Sequence, residues 1–224
     1  MINLVIPAAG SGTRFSKEIP KQFMKIKNQE LLTINLLSWV NIRLINKIYL
    51  ILPKEEFEEN KKKYSLISNK IIAVIGGDSR AESINNAVSI LDEANDLTLV
   101  HDGARPFCPK DLFDRVVLAL SEHEAIIPAL KVTDTIKKVK NKEVLKTINR
   151  ENLISVQTPQ GFKTKLIKKA YKSIDLKNTN FDDAELVENI GAKVFFVEGD
   201  KRNIKITTQD DIEYSEFLMS KSIS

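Results

Sequence analysis

Cysteine and histidine are scarce in this 224-residue chain, and their scarcity removes several chemistries at once. Cys108 is the only cysteine, so there is no intramolecular disulfide and no cysteine-based metal knuckle. His101 and His123 are isolated and suggest no zinc site. No apolar run approaches the roughly 20 residues of a membrane span. The N-terminus lacks the charged and apolar regions of a signal peptide. A soluble protein of a reducing compartment, the cytoplasm, is therefore expected. A dominant charge sign is missing too: 34 basic residues against 30 acidic ones leave a net charge of +4. Lys61-Lys62-Lys63 and Lys137-Lys138 are interrupted by acids and apolar residues, and read as solvated faces rather than a nucleic-acid surface. Repeats, low-complexity tracts and long linkers are also absent. What remains is 42% hydrophobic, enough for a sizeable core in one α/β domain that carries at most a smaller appendage.

The organising stretch is VIPAAGSGTRFSKEIPKQF, from Val5 to Phe23. Ile2 to Ile6 has the length and composition of a buried first strand. It breaks at Pro7 into Ala8-Ala9-Gly10-Ser11-Gly12, where side chains are small enough for backbone N–H groups to close on an anion. Arg14 and Lys21 follow, completing a cradle suited to a polyphosphate. The P-loop pattern needs a Lys-Ser/Thr pair that is absent here. The dinucleotide fingerprint fails because Phe15 occupies its third glycine position and the second strand runs into Pro53-Lys54 rather than an acid.

Apolar runs then alternate with helical patterns. Helices are expected over Leu31 to Val40, Glu55 to Tyr64, from Ser79 through Leu91, and over Asp111 to Leu120. Strands are expected at Lys47 to Leu52, Lys70 to Ile75, Leu97 to Val100 and Ala125 to Leu130. Ser79 and Glu82 have the spacing of a capping box. This alternation predicts a Rossmann-like, mostly parallel sheet with helices on both faces. Ligand loops in such sheets gather at the carboxyl ends of strands, so AAGSGTR, GGDSR and HDGARP are expected on one edge. From Thr133 to Ile148 two short strands flank Lys140-Asn141-Lys142-Glu143, a polar four-residue turn. That is a protruding β-arm within the single domain, spanning 133–150. Because an isolated hairpin is marginal in water, a second copy of the chain is the economical partner for it. Helices at Thr164 to Ser173, Asp182 to Ile190 and Asp210 to Met219, with a strand at Lys193 to Val197, complete the domain.

Chemistry concentrates at the predicted ligand edge. Asp102 directly follows an apolar strand and can hold magnesium, which takes one or two carboxylates plus phosphate oxygens. It can equally pair with Arg105, itself an anion clamp or a loop staple. Asp78 and Ser83 suit a base edge or ribose, or are a helix N-terminal acid and an exposed serine. Lys205 sits between Ile204 and Ile206, an unexpected place for a solvated lysine. Thr135, Arg150 and Thr158 are polar around the arm with no local reason. Asp182 and Asp183 read as helix N-terminal acids.

VIPAAGSGTR with PKQF, GGDSRAES, VHDGARPF, DTIK, TPQGF, DDAELVE and NIKITT occur in the order found in the 2-C-methyl-D-erythritol 4-phosphate cytidylyltransferases of the non-mevalonate isoprenoid pathway. The chain resembles that family over nearly its whole length. The resemblance implies transfer of a cytidylyl group from CTP to the sugar-alcohol phosphate, with Mg2+ as cofactor and a homodimer interlocked through the arm. It implies a CTP site of Pro7, Ala8, Ala9, Gly10, Gly12, Gly77, Asp78, Ser83 and Gly103. Arg14, Lys21 and Lys205 match catalytic cations; Asp102, Arg105 and Thr158 match the surroundings of sugar phosphate and metal; Thr135 and Arg150 match arm residues that reach the partner's site. Phe181 stands where the family carries threonine before its acidic pair. A ribitol 5-phosphate cytidylyltransferase shares several of these motifs and is the near alternative. A non-catalytic nucleotide-binding domain is the distant one, and Arg14, Lys21, Asp102 and Lys205 argue against it.

Overall fold

In the computed structural model, which describes residues 1–10, 24–173 and 182–221, the alternating runs become a doubly wound sheet. The chain passes through β1 (Ile2–Pro7), the small hairpin β2 (Lys25–Ile26) and β3 (Gln29–Glu30), then α1 (Leu31–Val40) and β4 (Ile45–Leu52). It continues through α2 (Phe57–Ser65), β5 (Ile71–Ile75), α3 (Arg80–Ser89), β6 (Leu97–Val100), α4 (Lys110–Ala119) and β7 (Ala125–Lys131). The arm strands β8 (Ile136–Lys140) and β9 (Glu143–Ile148) precede β10 (Ile154–Val156), β11 (Gln160–Lys163) and α5 (Thr164–Lys172). Last come α6 (Asp183–Asn189), β12 (Phe195–Glu198) and α7 (Gln209–Lys221).

The main sheet has eight strands in the order β10-β7-β11-β6-β1-β4-β5, with β12 also on β7. β1, β4, β5, β6, β7 and β12 share one direction, and only β10 and β11 oppose it. The period-two alternation of strand side chains sorts the core into two layers. Leu4 and Ile6 join Leu32, Leu36 and Trp39 of α1 and Phe113 and Val116 of α4 on one face. Val5 joins Ile84 and Val88 of α3, Ile167 of α5 and Leu186 of α6 on the other. Full burial of an aliphatic side chain of this size contributes roughly 1.5–3 kcal/mol, so both helical layers are firmly held. α7 packs in a third cluster, where Ile212 meets Ile26, Leu31 and Ile206.

β1 lies between β4 and β6, so the connections out of β1 and β5 leave in opposite directions across the sheet. The crevice beyond the carboxyl ends of β1 and β6 is thus the topological switch point where such sheets bind ligands.

Local departures from the expected elements have physical reasons. Ser79 caps α3 by accepting from the Glu82 N–H at 3.0 Å, but the Glu82 carboxylate returns to the Asp78 N–H at 2.9 Å rather than to Ser79. The arm turn has two residues, not four: Lys140 pairs with Glu143, while Asn141 and Lys142 take φ of 47° and 70° as a tight hairpin turn requires. The register then shifts so that Leu145 is left over opposite the Lys138–Val139 step. β2, β3, β10 and β11 were not foreseen, being two to four residues long and carrying Lys, Gln, Glu and Ser.

Candidate active site

Three loops converge at the switch point, as the strand-end argument requires. A Cβ on Gly76 would stand 2.4 Å from Ala9 Cβ, and one on Gly103 would stand 3.1 Å from the Pro7 carbonyl oxygen. The loops after β5 and β6 therefore both approach the loop after β1 closely, Gly76 against the Ala9 methyl and Gly103 against the Pro7 carbonyl, and the first approach leaves no room for a side chain on Gly76. Pro7 has no N–H, and the Ala8 N–H is already donated to the Ile51 carbonyl at 2.9 Å. Among the described residues, Ala9 and Gly10 are therefore the N–H groups of this loop with no acceptor, and they are the ones left to meet an anion. Gly12, Arg14, Lys21 and Phe181 lie outside the described residues.

In the second loop the Ser83 hydroxyl is buried and turned back on Gly77, accepting from its N–H at 2.9 Å. It is not an exposed helical serine; it shapes the Gly77-Asp78 turn from inside. Asp78 is exposed at the rim.

The third loop and its surroundings form the chemical centre. A cleft of about 220 Å³ is lined by Arg80, Asp102, Arg105, Val156, Gln157, Thr158, Gln160, Asp182 and Lys205. Lys205 Nζ is 2.9 Å from Asp102 Oδ2, and Arg105 Nε is 3.5 Å from the same oxygen. Burial pushes the Asp102 carboxyl up, but Lys205, Arg80 and Arg105 outweigh burial and hold it at about 2. It is therefore a permanent anion among three cations. Arg105 donates through Nη1 to the Asn203 carbonyl at 2.7 Å, while its buried Nε makes no hydrogen bond.

Asp102 is fixed by a relay the sequence did not reveal. Its backbone N–H donates to Thr158 Oγ1 at 3.0 Å, and that hydroxyl meets His101 Nδ1 at 3.1 Å. His101 Nε2 faces the Arg105 carbonyl at 2.9 Å, and a carbonyl only accepts, so Nε2 carries the proton. Burial lowers the imidazole to about 4, which keeps the ring neutral and makes Nδ1 the acceptor of the Thr158 hydroxyl proton. Trp39 packs edge-on against the ring at 4.8 Å. Asn35, buried on α1, donates toward the carbonyls of Asp102, Gly103 and Arg105, each at 3.2 Å. Gln157 braces the segment leading to Lys205 by donating to the Asp200 carbonyl and accepting from the Asp200 N–H.

Of the sequence-chosen residues, Asp102, Arg105, Thr158 and Lys205 are thus brought together from β6, the β10–β11 junction and the segment before α7. Thr135 and Arg150 are exposed at the base of the arm and do not line the cleft; Arg150 Nη1 donates to the Thr133 carbonyl. Arg80, Gln157, Gln160 and Asn203 were missed as site residues. The signals were present, since Arg80 follows the Gly76-Gly77-Asp78-Ser79 turn and Gln160 closes Thr158-Pro159-Gln160.

A family model described as 2-C-methyl-D-erythritol 4-phosphate cytidylyltransferase matches residues 2–221. A curated protein of that name from Clostridium botulinum (strain Eklund 17B / Type B) is 36% identical over 227 residues, covering 99% of this chain and 100% of the other. Another, from Alkaliphilus metalliredigens (strain QYMF), is 37% identical over 227 residues, covering 98% and 93%. Among solved structures, the 4-diphosphocytidyl-2C-methyl-D-erythritol synthase of Anaerococcus prevotii superposes with a TM-score of 0.84 at 32% identity, covering 98% of this chain and 96% of that one. The Francisella tularensis 2-C-methyl-D-erythritol 4-phosphate cytidylyltransferase gives 0.84 at 33% identity, covering 96% and 98%.

Proposed function

The chain belongs to the 2-C-methyl-D-erythritol 4-phosphate cytidylyltransferase family, and from that membership we propose how its cleft moves a cytidylyl group from CTP to the sugar-alcohol phosphate of the isoprenoid pathway. The observation that supports the reading is the Asp102–Lys205–Arg105 constellation at the switch point. In this reading the cleft takes the acceptor phosphate and the loop after β1 takes the triphosphate, so that an acceptor phosphate oxygen meets the α-phosphorus. That oxygen attacks the α-phosphorus in line, a new P–O bond forms, and the bond to the bridging oxygen breaks so that pyrophosphate leaves. The attacking oxygen is already anionic near neutral pH, so no general base is assigned. Lys205 and Arg105 hold the acceptor phosphate, with Thr158 keeping Asp102 in place between them. Arg14 and Lys21 are assigned to stabilise the charge that grows at the α-phosphate, the role of preorganised donors. The protein's contribution is positioning and electrostatics.

The donor set fits magnesium. Asp102 remains ionised, and its Oδ1 has no partner among the described residues. No group of three or more His, Cys, Asp or Glu side chains there could hold a metal without the substrate. One carboxylate with triphosphate oxygens is a usual magnesium environment. When bound, the ion neutralises charge on the triphosphate; Asp102 is the residue that holds it.

The arm spanning 133–150 is assigned to a homodimer contact. Among the described residues its strands pair only with each other, and Val139, Val144 and Leu145 are 58%, 58% and 47% exposed. No helix of the described residues is long and apolar enough to cross a membrane, and the cytoplasm is the proposed compartment.

The test is pyrophosphate release from CTP with 2-C-methyl-D-erythritol 4-phosphate and, separately, with ribitol 5-phosphate. Turnover is expected with the first, is abolished by chelator and returns with magnesium. A preference for ribitol 5-phosphate, or undiminished turnover in chelator with metal-free substrates, rejects the corresponding part of the reading.

A further inference from the structure

The first turn of α6 is held from three sides, and one of the holds is an ion pair that the transfer chemistry does not use. Arg80, the first residue of α3, directly follows the turn that carries Gly77 and Asp78. Its Nη2 lies 2.6 Å from Asp183 Oδ2. Asp183 is fully buried, at 0% exposure, and its Oδ1 accepts from the Tyr171 hydroxyl of α5 at 2.5 Å. Beside it, Gln160 Nε2 donates to Asp182 Oδ2 at 2.8 Å while Gln160 Oε1 accepts from the Ala184 N–H at 3.1 Å. The start of α6 is therefore tied on one side to the turn after β5 and on the other to the strand that begins two residues beyond Thr158.

Helix capping does not account for Asp183. Asp182 already caps α6, accepting from the Glu185 N–H at 2.9 Å. Nor is an ion pair with one partner fully buried and the other 39% exposed an efficient source of stability, because desolvation of the carboxylate offsets much of the Coulomb attraction; the better-attested use of such a pair is to fix one arrangement against others. The arrangement fixed here joins both ends of the cleft. Arg80, Gln160 and Asp182 line it, and Arg80 is close enough to help hold Asp102 ionised. Asp183 and Tyr171 stand behind that wall and do not line it.

We infer that Arg80 is a positioning residue for the transfer: through Asp183 it sets the nucleotide-side turn at a fixed distance from the α6 end that walls the acceptor. The inference rests on the reading of the cleft given above. The experiment begins with the wild-type chain, whose failure to release pyrophosphate from CTP and 2-C-methyl-D-erythritol 4-phosphate would count against that reading and not against this pair. Asp183→Asn keeps the size of the buried group and removes its charge. Because Asp183 does not line the cleft, any change in substrate parameters has to travel through Arg80 and α6. The acceptor KM is expected to rise about tenfold or more, as loss of a charge-assisted hydrogen bond implies. CTP binding measured alone by calorimetry weakens as well, and kcat stays within about threefold, the pattern of misplaced binding groups rather than lost transition-state contacts. Arg80→Lys, at the cleft rim, gives the same pattern and carries the test if Asp183→Asn does not fold. Tyr171→Phe shifts the acceptor KM in the same direction by less. An unchanged acceptor KM in the folded variants, or a loss confined to kcat, overturns the inference.

Discussion

Replacing Asp102 by asparagine separates what this carboxylate does for the fold from what it does for the reaction. Its folded pKa of about 2 lies below the ordinary value of 3.8. At 1.36 kcal/mol per unit, the ionised group therefore stabilises the native state by about 2 kcal/mol at neutral pH. A depressed carboxyl contributes fully above its unfolded value and loses the contribution as pH falls through its folded value. About half of the effect should thus remain at pH 3, and little below pH 2. Two further features set the size. The Lys205 side chain is 45% exposed and turns to solvent once its partner is neutral, whereas that of Arg105 is 11% exposed and cannot. The cost should accordingly stay near 2 kcal/mol and below the roughly 3–5 kcal/mol of a broken, fully buried pair.

Urea unfolding of the wild type and Asp102→Asn at pH 7 and pH 3 measures both quantities. A difference below about 0.5 kcal/mol at pH 7 refutes the electrostatic argument, and so does an equal difference at the two pH values. The same variant should bind inorganic pyrophosphate more tightly, since Lys205 and Arg105 lose their internal anion. Its turnover should fall by roughly 10² or more, because the carboxylate assigned to the metal is gone. Tighter anion binding with unimpaired turnover would show that Asp102 only staples the loop.

Arg14→Ala and Lys21→Ala are each expected to lower kcat by roughly 10² or more in a folded protein; near-normal turnover in either removes it from the catalytic set. Mixing Arg14→Ala chains with Arg150→Ala chains should recover some activity, because one of the two sites in a mixed dimer then has both residues. A monomer by sedimentation, or no recovery once mixed dimers are demonstrated, refutes the arm assignment. Phe181→Thr should lower the KM for 2-C-methyl-D-erythritol 4-phosphate by roughly two- to tenfold, the value of a neutral hydrogen bond, and leave the KM for CTP alone. A sharp rise instead makes the aromatic ring part of the acceptor site.

The frame of the fold was legible because the signals that specify it are local. Apart from Asn3, Ile2 to Ile6 is apolar on both strand faces, as expected of a central parallel strand, and it is buried on both. Leu32, Leu36 and Trp39 repeat at helical spacing and are all buried beneath one face of the sheet. Loop chemistry at strand ends is equally local, so the convergence of the Pro7, Gly76 and Gly103 loops is expected from the sequence. The strands that escaped notice are those whose only support is a distant partner. β11 reads as Gln-Gly-Phe-Lys and becomes a strand because β6 and β7 offer it two edges.

The site shows the same division between near and far. Asp102 could be chosen from its position after a strand, and Lys205 from its misplacement between two isoleucines. That these two pair with each other could not be read, because 103 residues separate them and no local rule connects them. Asp183 is the sharper case. Its place beside the α6 N-cap supplies a sufficient local reason for an acid, and that reason hides a second partner equally far away on α3. His101 was set aside because it lacked the neighbours of a zinc ligand, yet its use requires none: a neutral ring bridging Thr158 to the Arg105 carbonyl does its work by shape and hydrogen-bond direction. A residue whose role is to join two distant segments leaves no periodicity and no motif. Such residues become visible only when the backbone has brought both segments to the same edge of the sheet.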